Sequence, residues 1–203
     1  MSEGHAAALA TLLAWQAPDE AQERLRSSYV EHLRTHADGH LRSCRPDHLT
    51  ASVLVVSPDA SQVLLTHHRR ADAWFQLGGH VEPEDASLAA GAERELEEES
   101  GLGTYALDPV PVQLDRHAVP FCGDGGDHLD VRFVAVADPA LPLTVTEESV
   151  DVRWWPVDGL PSEEASLHEL VARARARQSS VSTSSATPAG VAAVRATDST
   201  PSR

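Results

Sequence analysis

An α/β fold preceded by a block of helices is what this 203-residue sequence predicts. Three observations carry the expectation. Residues 1–48 place apolar side chains at helical spacing. Residues 51–77 switch to short β-rich runs separated by turn chemistry. An amphipathic helix at about residues 87–100 then interrupts the strands before more of them follow.

In the first zone, Leu9, Leu12, Leu13, Ala21 and Leu25 fit one helical stripe broken near Pro18. Residues 29–41 form a second segment with Val30, Leu33 and Leu41. Two helices packing on the main domain are expected; the pattern equally suits a small lid or a homodimer contact. Strands follow at 51–56 and 62–66, a hairpin around Pro58, Asp59 and Ser61, and another at 74–77 ends in a double glycine. After the amphipathic helix, Gly101 suits its C-terminal cap. Later strands are expected at 110–114, 129–136 and 152–155. Ser162, with Glu163 and Glu164 behind it, opens a last helix to about residue 176. From residue 178 onward Ser, Thr, Ala and Pro dominate, too few apolar groups to offset the entropy of ordering. The expected division is therefore an N-terminal helical extension at 1–48, an α/β domain at 49–177 and a disordered tail at 178–203.

Composition narrows the function. The apolar fraction of 41% supports a packed core, and the formal charge of −15 argues against sequence-independent nucleic-acid binding, which needs a basic face. Cys44 and Cys122 are too few and too far apart for a disulfide framework or a four-thiolate zinc site, and read as free thiols in a reducing compartment. The apolar run at 6–15 follows Glu3 and no basic segment, and no stretch reaches the length of a membrane span. The expectation is a cytoplasmic protein without a membrane partner.

The chemistry concentrates between residues 78 and 102. At 100° per residue, Glu95, Glu98 and Glu99 fall within an arc of about 100°. Leu88, Ala92 and Leu96 form a separate anchoring stripe, and Glu93 and Glu97 share a face expected to look at solvent. Clustered carboxylates near a helix C-terminus repel one another and oppose the macrodipole, a cost that a bound hard cation reverses. A solvated acidic face is the plain alternative. The double glycine before the helix and Gly101 after it favour a built site.

On these residues the sequence resembles the Nudix family, whose box is written G-x5-E-x7-R-E-U-x-E-E-x-G-U, with U a bulky apolar residue. Arg94, Glu95, Leu96, Glu98, Glu99, Gly101 and Leu102 match its second half, and Gly79 its opening glycine. The first half departs twice: Asp85 stands where the family has Glu, and eight residues, not seven, separate it from Arg94. An Asp85–Arg94 pair would hold the loop against the helix. Compatible context extends the resemblance to residues 49–176.

The resemblance implies an α/β/α sandwich with a mixed β-sheet, and a hydrolase that cleaves a phosphoanhydride bond in a nucleoside diphosphate derivative or related small nucleotide. It implies Mg²⁺, with Mn²⁺ as substitute, held by Glu95, Glu98, Glu99 and the Gly78 carbonyl. Glu98, Glu95 and Arg94 become the catalytic set. A carboxylate of the cluster or of a later loop, with Glu147 and Glu148 as candidates, would take the proton from water. On the strand at 129–136, His128, Asp130 and Arg132 alternate with apolar residues. If that polar face looks into the cleft, Arg132 suits phosphate and His128 base or ribose; a solvated edge would show the same alternation. His67, His68, Arg69 and Arg70 at a hairpin mouth suit phosphate contacts or, more simply, a solvated loop; His80 suits a substrate contact or neutral filler; Trp154 and Trp155 read as packing. Two other readings belong to the same fold: a catalytically silent nucleotide sensor, against which the full glutamate set argues, and an isoprenoid diphosphate isomerase-like enzyme. The second needs a protonating cysteine and glutamate in the cleft, a context that neither Cys44 nor Cys122 matches.

Overall fold

The computed structural model describes residues 2–119, 122, 125–145 and 149–184. Helix α1 (Glu3–Ala14) begins at a cap in which Ser2 accepts a hydrogen bond from the His5 amide. Helix α2 (Glu20–Thr35) begins where the Asp19 side chain accepts from the Gln22 amide. This corrects the expected second segment. Asp19 starts the helix ten residues earlier than 29–41, so Leu25, Tyr29, Val30 and Leu33 belong to one helix, and Leu41 lies beyond its end.

Both helices pack on the domain. The buried Gln22 side chain donates to the Leu114 carbonyl (3.0 Å) and accepts from the Leu114 amide (2.6 Å), completing a backbone unit as a neighbouring strand would. The Tyr29 hydroxyl donates to the Asp115 carbonyl at 2.7 Å. These contacts cover an edge that would otherwise present unpaired amides and carbonyls.

That edge is β5 (Ala106–Ala118). The sheet also contains β1 (His48–Val56), β2 (Gln62–His68), β3 (Ala73–Phe75), β4 (Leu77–His80), β6 (Asp127–Val136) and β7 (Ser149–Pro156), in the order β3-β2-β1-β6-β5, with β4 paired to β1 and β7 to β2. β1 runs parallel to β6 and the other pairings are antiparallel, so the sheet is mixed. The single strand expected at 74–77 is two, β3 pairing with β2 and β4 with β1. Gln76 stands between them, where the chain leaves one neighbour for the other.

Alternation along β1 divides the core. Leu49, Ala51, Val53 and Val55 join Leu129, Val131 and Phe133 beneath α1, α2 and α3 (Leu88–Ser100). Leu54 and Val56 turn the other way, with Val63 and Leu65, against Leu167, Leu170, Val171 and Ala174 of α4 (Ala165–Ser184). Helices on both faces of one sheet make the α/β/α sandwich. Helix α4 starts after the expected Ser162 and continues to Ser184, through the beginning of the expected tail; residues 185–203 lie outside the described residues. Among the described residues no helix is long and apolar enough to cross a membrane.

Candidate active site

Helix α3 is tightly specified at both ends. The Ser87 hydroxyl accepts from the Ala90 amide, and Gly101 takes a left-handed φ of 71° while its amide bonds to the Glu97 carbonyl. Leu88, Ala92 and Leu96 are buried as the anchoring stripe. The three carboxylates on the adjoining arc differ in setting. Glu98 is 60% exposed, Glu95 14%, and Glu99 is buried.

The double glycine lets these carboxylates reach the backbone of β4. Glu99 accepts a hydrogen bond from the Gly78 amide at 3.0 Å. Gly78 has φ of +152° beside Ser52, where a Cβ would collide with both the backbone and side chain of that residue. At Gly79 a Cβ would strike the Glu95 carboxylate itself. Gly79 thus makes room for Glu95, and Gly78 lets the strand pass Ser52 while its amide meets Glu99.

Arg94 joins the two halves of the motif. Its Nε and Nη2 donate to the two oxygens of Asp85 (3.2 and 3.1 Å), Nη2 also donates to the His80 carbonyl (2.8 Å), and Nη1 donates to Glu95 (3.0 Å) and Glu98 (2.9 Å). Burial disfavours this guanidinium's charge, but hydrogen bonding to Asp85 and the charge of Glu95 outweigh burial and hold Arg94 above its usual range. Asp85 also accepts from the Glu82 amide at 2.8 Å, and Gly91 leaves room for its carboxylate, since a Cβ there would come within 2.9 Å of Oδ2. The shorter acid and the added residue therefore still deliver a two-pronged grip on Arg94, and Arg94 acts on the glutamates by positioning them.

A model of the NUDIX domain matches residues 46–175. The chain belongs to the Nudix family. No curated protein matches it. Among solved structures, the NUDIX domain of Shewanella oneidensis NrtR complexed with ADP ribose gives a TM-score of 0.53 at 18% identity, over 72% of this chain and 96% of that one. A C. elegans Ap4A hydrolase binary complex gives 0.53 at 14% identity, over 65% and 98%. Both are likenesses of fold.

The Nudix box lines a cleft of about 1580 Å³ shared with the polar face of β6. Strand register assembles that face: His48 pairs with His128, Thr50 with Asp130 and with His80, and Ser52 with Arg132, so all point to one side of the sheet. The polar face of β6 therefore does look toward the cleft, but Asp130 and Arg132 are each only 3% exposed. Asp130 accepts from Thr50 (3.0 Å), Ser52 (2.7 Å) and Arg132 Nε (2.9 Å). Arg132 also donates to Gln113 (3.1 Å) and Asp115 (2.9 Å). This network is internally satisfied, and a phosphate contact at Arg132 would have to displace existing partners. His128 stands apart from it, among His48, His80 and Cys122.

Arg69 and Arg70 are exposed at the cleft mouth, whereas His67 faces Asp72. Trp154 and Trp155 pack into the two core clusters on opposite faces of the sheet. Glu147 and Glu148 lie outside the described residues. Sequence reasoning missed Asp85's bond to the Glu82 amide, the part played by Gly91 and the His48–His80–His128 grouping. The first two are local enough to be sought in a loop with an added residue; the third requires strand register.

Proposed function

We propose that the chain is a metal-dependent Nudix hydrolase that cleaves a phosphoanhydride bond in a nucleoside diphosphate derivative or related nucleotide. One observation carries the reading: Glu95, Glu98 and Glu99 line one cleft with Gly78 and Gly79, where Glu99 takes the Gly78 amide and the missing side chain at Gly79 leaves room for the Glu95 carboxylate. An all-oxygen donor set of this kind fits Mg²⁺ or Mn²⁺, with the three glutamates and the Gly78 carbonyl as candidate holders. When bound, the cation would neutralise phosphate charge and make a water nucleophilic.

The chain's own residues supply the rest. Arg94 Nη1 holds Glu95 and Glu98 beside one another, while Asp85 fixes the other side of that guanidinium. Glu98, the most exposed carboxylate of the three, is the one best placed to meet a solvent-borne ligand. Arg69 and Arg70 at the mouth suit the phosphates. Ap4A and ADP ribose, named with the two fold relatives, both contain phosphoanhydride bonds and belong to the proposed substrate class.

The test is product analysis with a panel of nucleoside diphosphate derivatives and Mg²⁺ or Mn²⁺, comparing the native chain with Glu98→Gln. Metal-dependent cleavage lost in the variant supports the proposal. Full activity in the variant overturns the mechanism. Tight nucleotide binding without turnover across the panel replaces it with a sensor.

A further inference from the structure

The cleft contains a second group of metal-ligating side chains, with none of the chemistry of the first. His48 begins β1, His80 ends β4, His128 begins β6, and Cys122 approaches from the β5–β6 connection. One potential ligand atom from each lies within 4.8 Å of every other. His80 Nε2 is 3.3 Å and His48 Nε2 3.7 Å from the Cys122 sulfur. The three rings stand 4.9 to 5.2 Å apart by centroid. A tetrahedral ion bound at about 2.0–2.3 Å from nitrogen and sulfur sets its ligands about 3.3–3.7 Å apart. Both contacts to sulfur already match, and a contraction of about 1 Å brings in the rest.

Hydrogen bonding alone does not satisfy this group. The Cys122 sulfur can meet both His80 and His48, donating to one and accepting from the other, but this leaves out His128. The His128 Nε2 is buried without a hydrogen-bond partner among the described residues. A buried nitrogen of that kind is open to a water, a ligand or an ion. The rings also resist becoming cationic themselves. Burial, and then nearby positive groups including Arg42, Arg45 and the neighbouring histidines, lower His48 from its ordinary value, take His80 down to about 4 and His128 to about 3. Neutral imidazole is the metal-binding form.

The surroundings hold the four in place. The Arg45 guanidinium donates to the Cys122 carbonyl at 3.2 Å and lies 3.9 Å from its sulfur. Gly126 passes so close to Pro46 that a Cβ would overlap its carbonyl, and Asp47 accepts from the Asp127 amide at 2.9 Å. Gly126 and Asp127, at the start of β6, are thereby tied to the residues ahead of β1. His117, the other histidine of this face, already bonds Asp115 at 2.8 Å and is outside the group.

We propose that His48, His80, His128 and Cys122 form a second cation site, of the tetrahedral nitrogen–sulfur class that takes Zn²⁺, separate from the Nudix carboxylates. Three imidazoles and one thiolate are a softer donor set than the glutamates, so the two sites sort metals by hardness. The site clamps the Cys122 connection to β4, whose His80 carbonyl also receives Arg94.

Cobalt titration of the reduced, metal-free full chain tests this without reference to hydrolysis. The expected result is one tetrahedral Co²⁺ per chain with a thiolate-to-cobalt charge-transfer band, displaced by Zn²⁺ with a rise in Tm. Cys122→Ser should lose that band. His128→Gln should weaken binding by more than the roughly 10- to 100-fold typical of losing an outer-sphere partner. Glu98→Gln should keep the band, which separates this site from the carboxylate site. Circular dichroism establishes that each variant is folded; should Cys122→Ser fail to fold, the native spectrum and His128→Gln decide. Absence of a thiolate band in the native chain, its survival in folded Cys122→Ser, undiminished affinity in His128→Gln or its loss in Glu98→Gln each overturns the proposal.

Discussion

Two clusters line one cleft, and a single short strand serves both. Gly78 gives its amide to Glu99 and Gly79 makes way for Glu95, while the next residue, His80, turns its ring toward Cys122 and gives its carbonyl to Arg94. The carboxylate cluster is built on consecutive turns of one helix and concentrates negative charge. The imidazole–thiol cluster is built from four separate segments and keeps its rings neutral. The difference shows two ways to make a site: local spacing can gather like charges along a helix, whereas only strand pairing can gather distant neutral donors.

The comparison can be broken first at Glu98. Glu98→Gln should lower kcat by about 100-fold or more, the scale of losing a group that acts on the reacting centre. It should leave thermal unfolding nearly unchanged because the side chain is 60% exposed. Parallel activity and melting measurements check both halves. A large drop in Tm would make Glu98 a structural residue.

Asp85→Ala tests whether the variant first half of the Nudix box still matters. It removes both oxygens that hold Arg94 and leaves the Glu82 amide without its partner. The expected loss is on the order of 3 kcal/mol in denaturant unfolding, at the low end for a buried pair because Arg94 is 21% exposed. Turnover should fall as well, as Glu95 and Glu98 lose a fixed neighbour. An unchanged midpoint would mean that the glutamates and the His80 carbonyl suffice to hold Arg94.

Gly79→Ala acts directly on the boundary between the clusters. The added methyl meets the Glu95 carboxylate, and making room should cost about 1–3 kcal/mol. Magnesium-dependent activity should fall while the cobalt–thiolate band survives. Loss of both together would show that the clusters are not independent.

A subtler difference concerns protons in the metal-free chain. His80 and His128 have folded values of about 4 and about 3 against an ordinary 6.5, with burial the first cause and neighbouring positive groups the next. The unfolded chain therefore takes up protons first as pH falls. The stability they contribute is complete above about pH 6.5 and declines as pH drops from there toward 4. His128→Gln should flatten this decline by at most about 1.4 kcal/mol per pH unit, measured by denaturant unfolding between pH 7 and 4. An unaltered slope would show that His128 is not buried in neutral form.

How much was legible follows from the same contrast. The fold class, most strands, the α3 caps and the Arg94-to-Leu102 half of the Nudix box lie within short windows where periodicity and spacing speak directly. The start of α2 was missed because an apolar stripe does not announce its cap, and Asp19 does. The split at Gln76 was missed because β3 and β4 pair with different strands. Alternation in β6 marked a polar face but did not distinguish a cleft wall from a solvated edge. Arg132 reads as a phosphate ligand in isolation; its ties to Asp115 and Gln113 depend on the neighbouring strand.

By itself the sequence determined the family's fold, the helix that carries Glu95, Glu98 and Glu99, and the glycines ahead of it. All of these are set by interactions between residues close along the chain. Only the tertiary structure decided that Asp85 still reaches Arg94 across an added residue, that Gln22 completes the β5 edge, and that His48, His80, Cys122 and His128 share one point in space. Those contacts depend on loop path and strand register, which the packing of the whole sheet fixes and no local spacing encodes.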